Sequence, residues 1–179
     1  MIIKRCPIAG MFEISAEPHS DDRGAFARVY CAREFAQAGI AFDPVQMNLS
    51  VNTGRHILRG LHFQRPPHAE AKMVRAMRGT IWDVAVDLRA GETFGQWHAV
   101  ELDAERMNAV FLPEGVAHGF MTLTEESAVL YQMGRIYETG HASGIKWDDP
   151  DLAIAWPHRP AKMSPQDETW PLFRDTAPI

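Results

Sequence analysis

Glycine and proline break this chain at short intervals, and that spacing limits its fold more than any other feature. Between the breaks lie short runs rich in Val, Ile, Leu, Phe and Trp. Runs of that length suit many short strands rather than long helices, and so a sandwich or barrel. The clearest is 80–89. There Ile81, Asp83, Ala85, Asp87 and Arg89 alternate with Trp82, Val84, Val86 and Leu88, so the two sets face opposite ways. Further strands are predicted at 46–52, 57–64, 71–77, 97–102, 108–112, 118–123 and 127–133. The breaks between them carry turn chemistry: Asn52-Thr53-Gly54, Arg78-Gly79, Ala90-Gly91-Glu92 and Pro113-Glu114-Gly115.

Helix signals are few. One short helix is predicted over 32–38, stopped by Gly39. The tail, 160–179, reads as a segment packed on the outside. One helical turn is predicted there, with Ser164 as cap and Pro165 at its first position.

With 179 residues the chain is long enough for one domain with a sizeable core. The expected division is N-terminal strands and a short helix over 1–45, a core over 46–135, and a C-terminal segment over 136–179. A net charge of −5 without any basic run argues against nucleic-acid binding. Any anionic ligand then needs a local basic cluster. The apolar runs are too short for a membrane span or a signal sequence, so the cytoplasm is the expected location. Cys6 and Cys31 are too few for a disulfide framework or a zinc site, and read as reduced thiols.

The chemistry concentrates in Arg59-Gly60-Leu61-His62-Phe63-Gln64 and in Lys72. Histidine exchanges a proton near neutral pH, arginine grips phosphate, and lysine steadies a developing oxyanion. That set suits proton abstraction beside a ketone on a phosphate-bearing substrate. In a strand, Leu61 and Phe63 face one side while Gly60, His62 and Gln64 face the other. A lone histidine is more often a packed or surface residue; Arg59, Gln64 and Lys72 nearby favour a lined cavity.

His118 follows a turn, where it can reach a pocket mouth. Tyr131 and Tyr137 are candidate acids, weighed against ordinary buried tyrosines. Arg23 and Arg28 are candidate phosphate or base contacts, weighed against solvated surface charge. Metal binding is not expected: His62-Phe63-Gln64 stands where cupin oxygenases place His-x-His. No Gly-x-Gly-x-x-Gly or Walker-type run supports a bound nucleotide cofactor.

The chain resembles the dTDP-4-dehydrorhamnose 3,5-epimerase family of nucleotide-sugar epimerases. The resemblance runs through Asp22-Arg23-Gly24, Gln46 to Ser50, Leu58 to Gln64, Lys72-Met73-Val74-Arg75, Asp83 to Arg89, Thr93-Phe94-Gly95, Leu112 to Phe120, Leu130-Tyr131 and Trp147-Asp148-Asp149-Pro150. It implies an all-β cupin jelly roll with short peripheral helices, working as a homodimer without metal or cofactor on a nucleoside-diphosphate 4-keto sugar. His62 is the implied base, oriented by Asp167. Lys72 is implied to stabilise an enolate oxygen and Tyr131 to return the proton. Arg23, Gln46, Asn48, Arg59 and His118 match positions that hold the nucleotide sugar, and Arg28 and Tyr137 join that set.

Three positions depart from the family pattern. Arg28 stands where an acidic residue is usual, Ala142 where a glutamate is, and Gln166 where a lysine is. They leave two other readings: a single-carbon epimerase acting on a CDP or GDP sugar, or a sugar-nucleotide binding cupin without catalysis.

Overall fold

A computed structural model describes residues 1–179. Thirteen strands follow one another along the chain. They are β1 (Ile2–Arg5), β2 (Phe12–Ser15), β3 (His19–Asp21), β4 (Gly24–Phe26), β5 (Gln46–Thr53), β6 (Leu58–Gln64), β7 (Lys72–Arg78), β8 (Thr80–Asp87), β9 (Trp97–Asp103), β10 (Asn108–Leu112), β11 (Val116–Thr122), β12 (Glu126–Met133) and β13 (Ala142–Gly144). Two short helices, α1 (Ala32–Gln37) and α2 (Pro165–Thr169), and a 3-10 turn at Phe173–Asp175 complete the chain.

One sheet has six strands in the order β1-β2-β10-β7-β12-β5, and a second has five in the order β13-β6-β11-β8-β9. β3 and β4 form a separate hairpin. All strand pairings are antiparallel. Strands far apart in sequence lie side by side, such as β2 with β10 and β7 with β12, which is the crossover pattern of the expected jelly roll.

Three apolar layers hold these sheets. The central one lies between them: Val74, Val110, Leu112 and Val129 from the larger sheet meet Ile81, Ala85, Val116 and Phe120 from the smaller. A second covers the outer face of the larger sheet, where Phe35 of α1 joins Phe12, Ile14, Met73 and Phe111. A third covers the outer face of the smaller sheet. There Leu61, Phe63, Val84, Val86 and Leu88 pack with Ile145 and Leu152 from the C-terminal segment.

The two faces predicted for 80–89 are therefore both buried. The polar members of its inner face, Asp83 and Asp87, are held inside by partners. Asp87 accepts from Arg89 Nε and Nη2 and from Thr93 Oγ1, and Asp83 Oδ2 lies 2.7 Å from His118 Nε2, while its Oδ1 has no partner. Burying carboxylates is tolerable only with such bonds.

The predicted strands match β5 to β12 in existence and type, with ends differing by one or two residues. β1, β2 and β13 are short: β13 is an edge strand of the smaller sheet, and β1 and β2 extend one side of the larger, with β1 at its edge. The helix at 32–38 is α1, with Ala38 as its C-cap. The helical turn of the tail is α2. Its Ser164 side chain accepts from the Asp167 N–H, and Pro165 opens the helix.

Phe35 anchors the second apolar layer, with its ring 5.0 Å from Tyr30 and 6.2 Å from Phe42 between centroids, and none of it exposed. Phe35→Ala is expected to destabilise the protein by about 3–5 kcal/mol, as large buried aromatics do when truncated. Urea unfolding of the variant against wild type reads this directly.

Candidate active site

Strand register decides which side chains share the space between the sheets. In the larger sheet Tyr131 lies opposite Asn48 on one side and Val74 on the other. Met133 likewise lies between Gln46 and Lys72. Residues directly opposite in an antiparallel pair point to one face. Val74 belongs to the central layer, so Gln46, Asn48, Lys72 and Tyr131 all face the smaller sheet.

The smaller sheet answers through β6 and β11. His62 lies opposite His118, and Arg59 lies opposite Phe120. Three residues of β6 thus span the same distance as two of β11, which is a β-bulge. Strict alternation would send Arg59 to the opposite face from His62; the bulge brings both inward.

Gly60 makes this possible. Its φ is 137°, and a Cβ there would lie 2.5 Å from the Cα of Gly119. Only glycine at 60 lets the two backbones approach so closely.

His62 Nε2 is 2.5 Å from Asp167 Oδ1. The same oxygen accepts from Trp170 Nε1 at 3.2 Å. The Trp170 indole packs against β13, where a Cβ on Gly144 would sit 2.4 Å from its ring. Burial works against the Asp167 carboxylate, but its bonds with His62, Ser164 and Trp170 outweigh this and hold its carboxyl below the usual aspartate value. An ionised carboxylate only accepts. The neutral imidazole therefore carries its proton on Nε2, leaving the Nδ1 lone pair free.

A cavity of about 210 Å³ opens beside this pair, lined by His62, Glu70, Lys72, Tyr137, Ala142 and Gln166 among others. Lys72 is buried, with Nζ 2.9 Å from Glu70 Oε1. His118 and Tyr131 meet deeper in, ring edge to face, with centroids 5.8 Å apart. His118 Nε2 lies 2.7 Å from Asp83 Oδ2, and both residues are buried. Burial pushes the Asp83 carboxyl above its usual value, partly offset by His118 and Lys72. Enclosure, with the negative Asp83 nearby, also drives the Tyr131 phenol well above its usual range. Tyr131 thus keeps its proton.

On the other side of α2 lies a cleft of about 350 Å³ lined by Asn52, Arg59, Lys162 and Asp167. Arg59 Nε donates to Asn52 Oδ1 at 2.8 Å. Gln46 bonds Asn48, and its Oε1 accepts the Tyr137 N–H at 3.1 Å.

Of the eleven expected site residues, His62, Lys72 and Tyr137 line the cavity and Arg59 and Asp167 the neighbouring cleft, while Gln46, Asn48, His118 and Tyr131 sit on the facing sides of the two sheets. Arg23 and Arg28 lie elsewhere. Arg23 is largely exposed and paired with Asp21 at 2.5 Å. Arg28 Nη1 pairs with Glu34 at 2.6 Å and borders a separate cleft with Met1, Glu17 and His19. Of the three departures, Ala142 and Gln166 line the His62 cavity and Arg28 does not.

Glu70, Asp83 and Trp170 were not singled out from the sequence. Glu70 stands two residues before Lys72, the spacing that puts side chains on one face of an extended chain, and that was its available signal.

The sequence profile of the dTDP-4-dehydrorhamnose 3,5-epimerase family matches residues 5–175. A dTDP-4-dehydrorhamnose 3,5-epimerase of Methanothermobacter thermautotrophicus is 41% identical over 170 residues, covering 93% of this chain and 91% of that protein. The solved 4-keto-6-deoxy sugar epimerase of the novobiocin gene cluster of Streptomyces spheroides superposes with a TM-score of 0.93 at 37% identity, covering 98% of this chain and 88% of that one. The Legionella pneumophila enzyme, solved with dTDP-4-keto-L-rhamnose, gives 0.91 at 34% identity, covering 97% and 93%.

The lowered Asp167 carboxyl sets a pH dependence of stability. Protonating Asp167 is easier in the unfolded chain, so the pair's contribution is complete above the ordinary aspartate value of about 4 and is lost as pH falls through the folded value. Urea unfolding between pH 2 and 7 should show wild type more stable than Asp167→Asn above that value, with the gap closing in acid.

Proposed function

This chain belongs to the dTDP-4-dehydrorhamnose 3,5-epimerase family, and from that premise we propose how its cavity residues divide the work. It is a nucleotide-sugar epimerase, inverting C3 and/or C5 of a dTDP-linked 4-keto-6-deoxy sugar. One observation carries the assignment of roles: the His62–Asp167 pair opens on a cavity that Lys72 also lines, with Tyr131 rooted in the facing sheet.

The 4-keto group acidifies the hydrogens on both neighbouring carbons. His62 removes one through Nδ1, while Asp167 holds the ring by Nε2–H and stabilises the imidazolium that forms. Charge moves onto the ketone oxygen as the enolate develops. Lys72 meets it with a buried ammonium, which counts for more there than in water. Tyr131, still protonated, returns a proton from the other face of the sugar and inverts the carbon. Each acid–base group contributes about 10²- to 10⁴-fold. Arg59 takes the diphosphate, and Gln46, Asn48, His118 and Tyr137 complete the hold on substrate.

The working unit is a homodimer. Met47, Leu49 and Val51 lie along the outer face of edge strand β5, with Val45 just before it, each more than half exposed. A row of apolar side chains on an edge strand marks a surface that another chain covers. A second copy also gives Arg23 and Arg28 a task. Standing outside their own cavity, they reach the nucleotide bound by the neighbouring copy. No helix is long and apolar enough to cross a membrane, and a cytoplasmic enzyme fits the two free thiols, Cys6 and Cys31.

In heavy water, wild type should place deuterium at each carbon it inverts. His62→Ala should abolish that exchange without unfolding the protein. Tyr131→Phe should still exchange while inverting poorly, since removal and return use different groups. Full epimerase activity in either variant refutes the role given to that residue.

Leu49→Asp should shift the protein from dimer to monomer in light scattering and lower activity with it. A monomeric wild type refutes the dimer.

A further inference from the structure

Glu70 is an acid in the wall of a site whose lysine is expected to meet negative charge. Its own side chain is almost wholly buried, as is that of Lys72. Both of its oxygens are engaged. Oε1 is 2.9 Å from Lys72 Nζ, and Oε2 accepts from Gln64 Nε2 at 2.8 Å. With both oxygens held, Glu70 has little left to offer a sugar hydroxyl and serves to hold its neighbours.

The chain of contacts continues past Gln64. Its Nε2 also donates to the His68 carbonyl at 3.1 Å, and its Oε1 accepts the Glu138 N–H at 3.0 Å. The neighbouring Tyr137 N–H is held by Gln46. Two glutamines thus clamp consecutive peptide groups of the segment that carries Tyr137 over the cavity.

The donor and acceptor pattern is directional. Gln64 must turn its oxygen to the Glu138 N–H, so its NH₂ faces Glu70. Glu70 therefore meets a donor on each side, and a carboxylate answers both. A glutamine at 70 can answer only one: its oxygen can face Lys72, and its NH₂ then opposes that of Gln64. An apolar residue answers neither and leaves the Lys72 ammonium buried without a counterion, which is the costly case.

We propose that Glu70 is a positioning residue for catalysis: its carboxylate fixes Lys72 Nζ toward the ketone oxygen and, through Gln64, ties that lysine to the segment bearing Tyr137. The inference rests on the role given above to Lys72. That interaction strengthens only as the enolate forms, so disturbing Glu70 lowers kcat rather than raising KM.

The test measures epimerisation of dTDP-4-keto-6-deoxy-glucose by wild type, Glu70→Leu, Glu70→Gln, Lys72→Met and the Glu70→Leu/Lys72→Met double variant. Glu70→Leu should lose about 10²-fold in kcat, the scale of one oxyanion donor, with KM within about threefold. Glu70→Gln, which keeps an oxygen for Lys72, should recover about tenfold or more of that loss. The double variant should be no slower than Lys72→Met, because Glu70 acts through the lysine.

A folded Glu70→Leu with wild-type kcat overturns the proposal. So do a Glu70→Gln no better than the leucine variant and losses that multiply in the double variant. If circular dichroism shows Glu70→Leu unfolded, Glu70→Ala, which leaves room for water beside Lys72, takes its place with the same expectations. Lys72→Met at wild-type rate refutes the role of the lysine itself. An inactive Lys72→Met beside a wild-type Glu70→Leu overturns only the inference about Glu70.

Discussion

The backbones of β6 and β11 approach so closely at Gly60 and Gly119 that no side chain fits between them. That contact lets β6 carry one extra residue and change phase partway along. Before the bulge it turns Arg59 inward; after it, His62. Leu61 and Phe63 are left to the outer apolar layer. The strand thus serves the site and the core together. A regular strand would have to send either the arginine or the histidine away from the substrate space.

Around that strand the interior divides into two regions. One is filled by Val74, Val110, Leu112, Ile81 and Phe120, which lock the sheets together. The other is polar and held mainly by side chain to side chain bonds: His62 with Asp167, His118 with Asp83 (whose second oxygen has no partner), Lys72 with Glu70, and Glu70 with Gln64. Buried polar groups of this kind fix one arrangement, because each alternative leaves a donor or acceptor without a partner. The C-terminal segment closes the polar region. It brings Asp167 on a helix started by Ser164 and Pro165, and Trp170 packs where Gly144 leaves room. Residues 105 positions apart in the chain therefore make one hydrogen-bonded pair.

Much of this was legible in the chain. The eight strands from 46 to 133 announce themselves through short apolar runs set between turn residues, with clear alternation over 80–89, because strand preference and turn chemistry are local properties. The start of α2 was legible for the same reason, since a cap and a first-turn proline act within a few residues. β1, β2 and β13 were not placed individually. Each is three or four residues long and is held by its neighbours rather than by its own pattern. Asp167 is implied only by the family resemblance, since nothing local to a tail residue shows which histidine it will meet. Arg23 and Arg28 were expected at the substrate, and the fold places them outside the cavity of their own chain.

The sequence by itself determined the class of fold and offered candidate groups for chemistry: many short strands, and a histidine, lysine and tyrosine in segments that read as sheet. Those follow from spacing and residue chemistry, which need no knowledge of distant neighbours. Tertiary structure decided which groups meet. Strand order brought Lys72 and Tyr131 opposite His62, the bulge at Gly60 turned Arg59 inward, and packing of the tail delivered Asp167. It also seated Glu70 between Lys72 and Gln64. Long-range pairing set these contacts, because the bond each group makes depends on which strand the fold lays beside it.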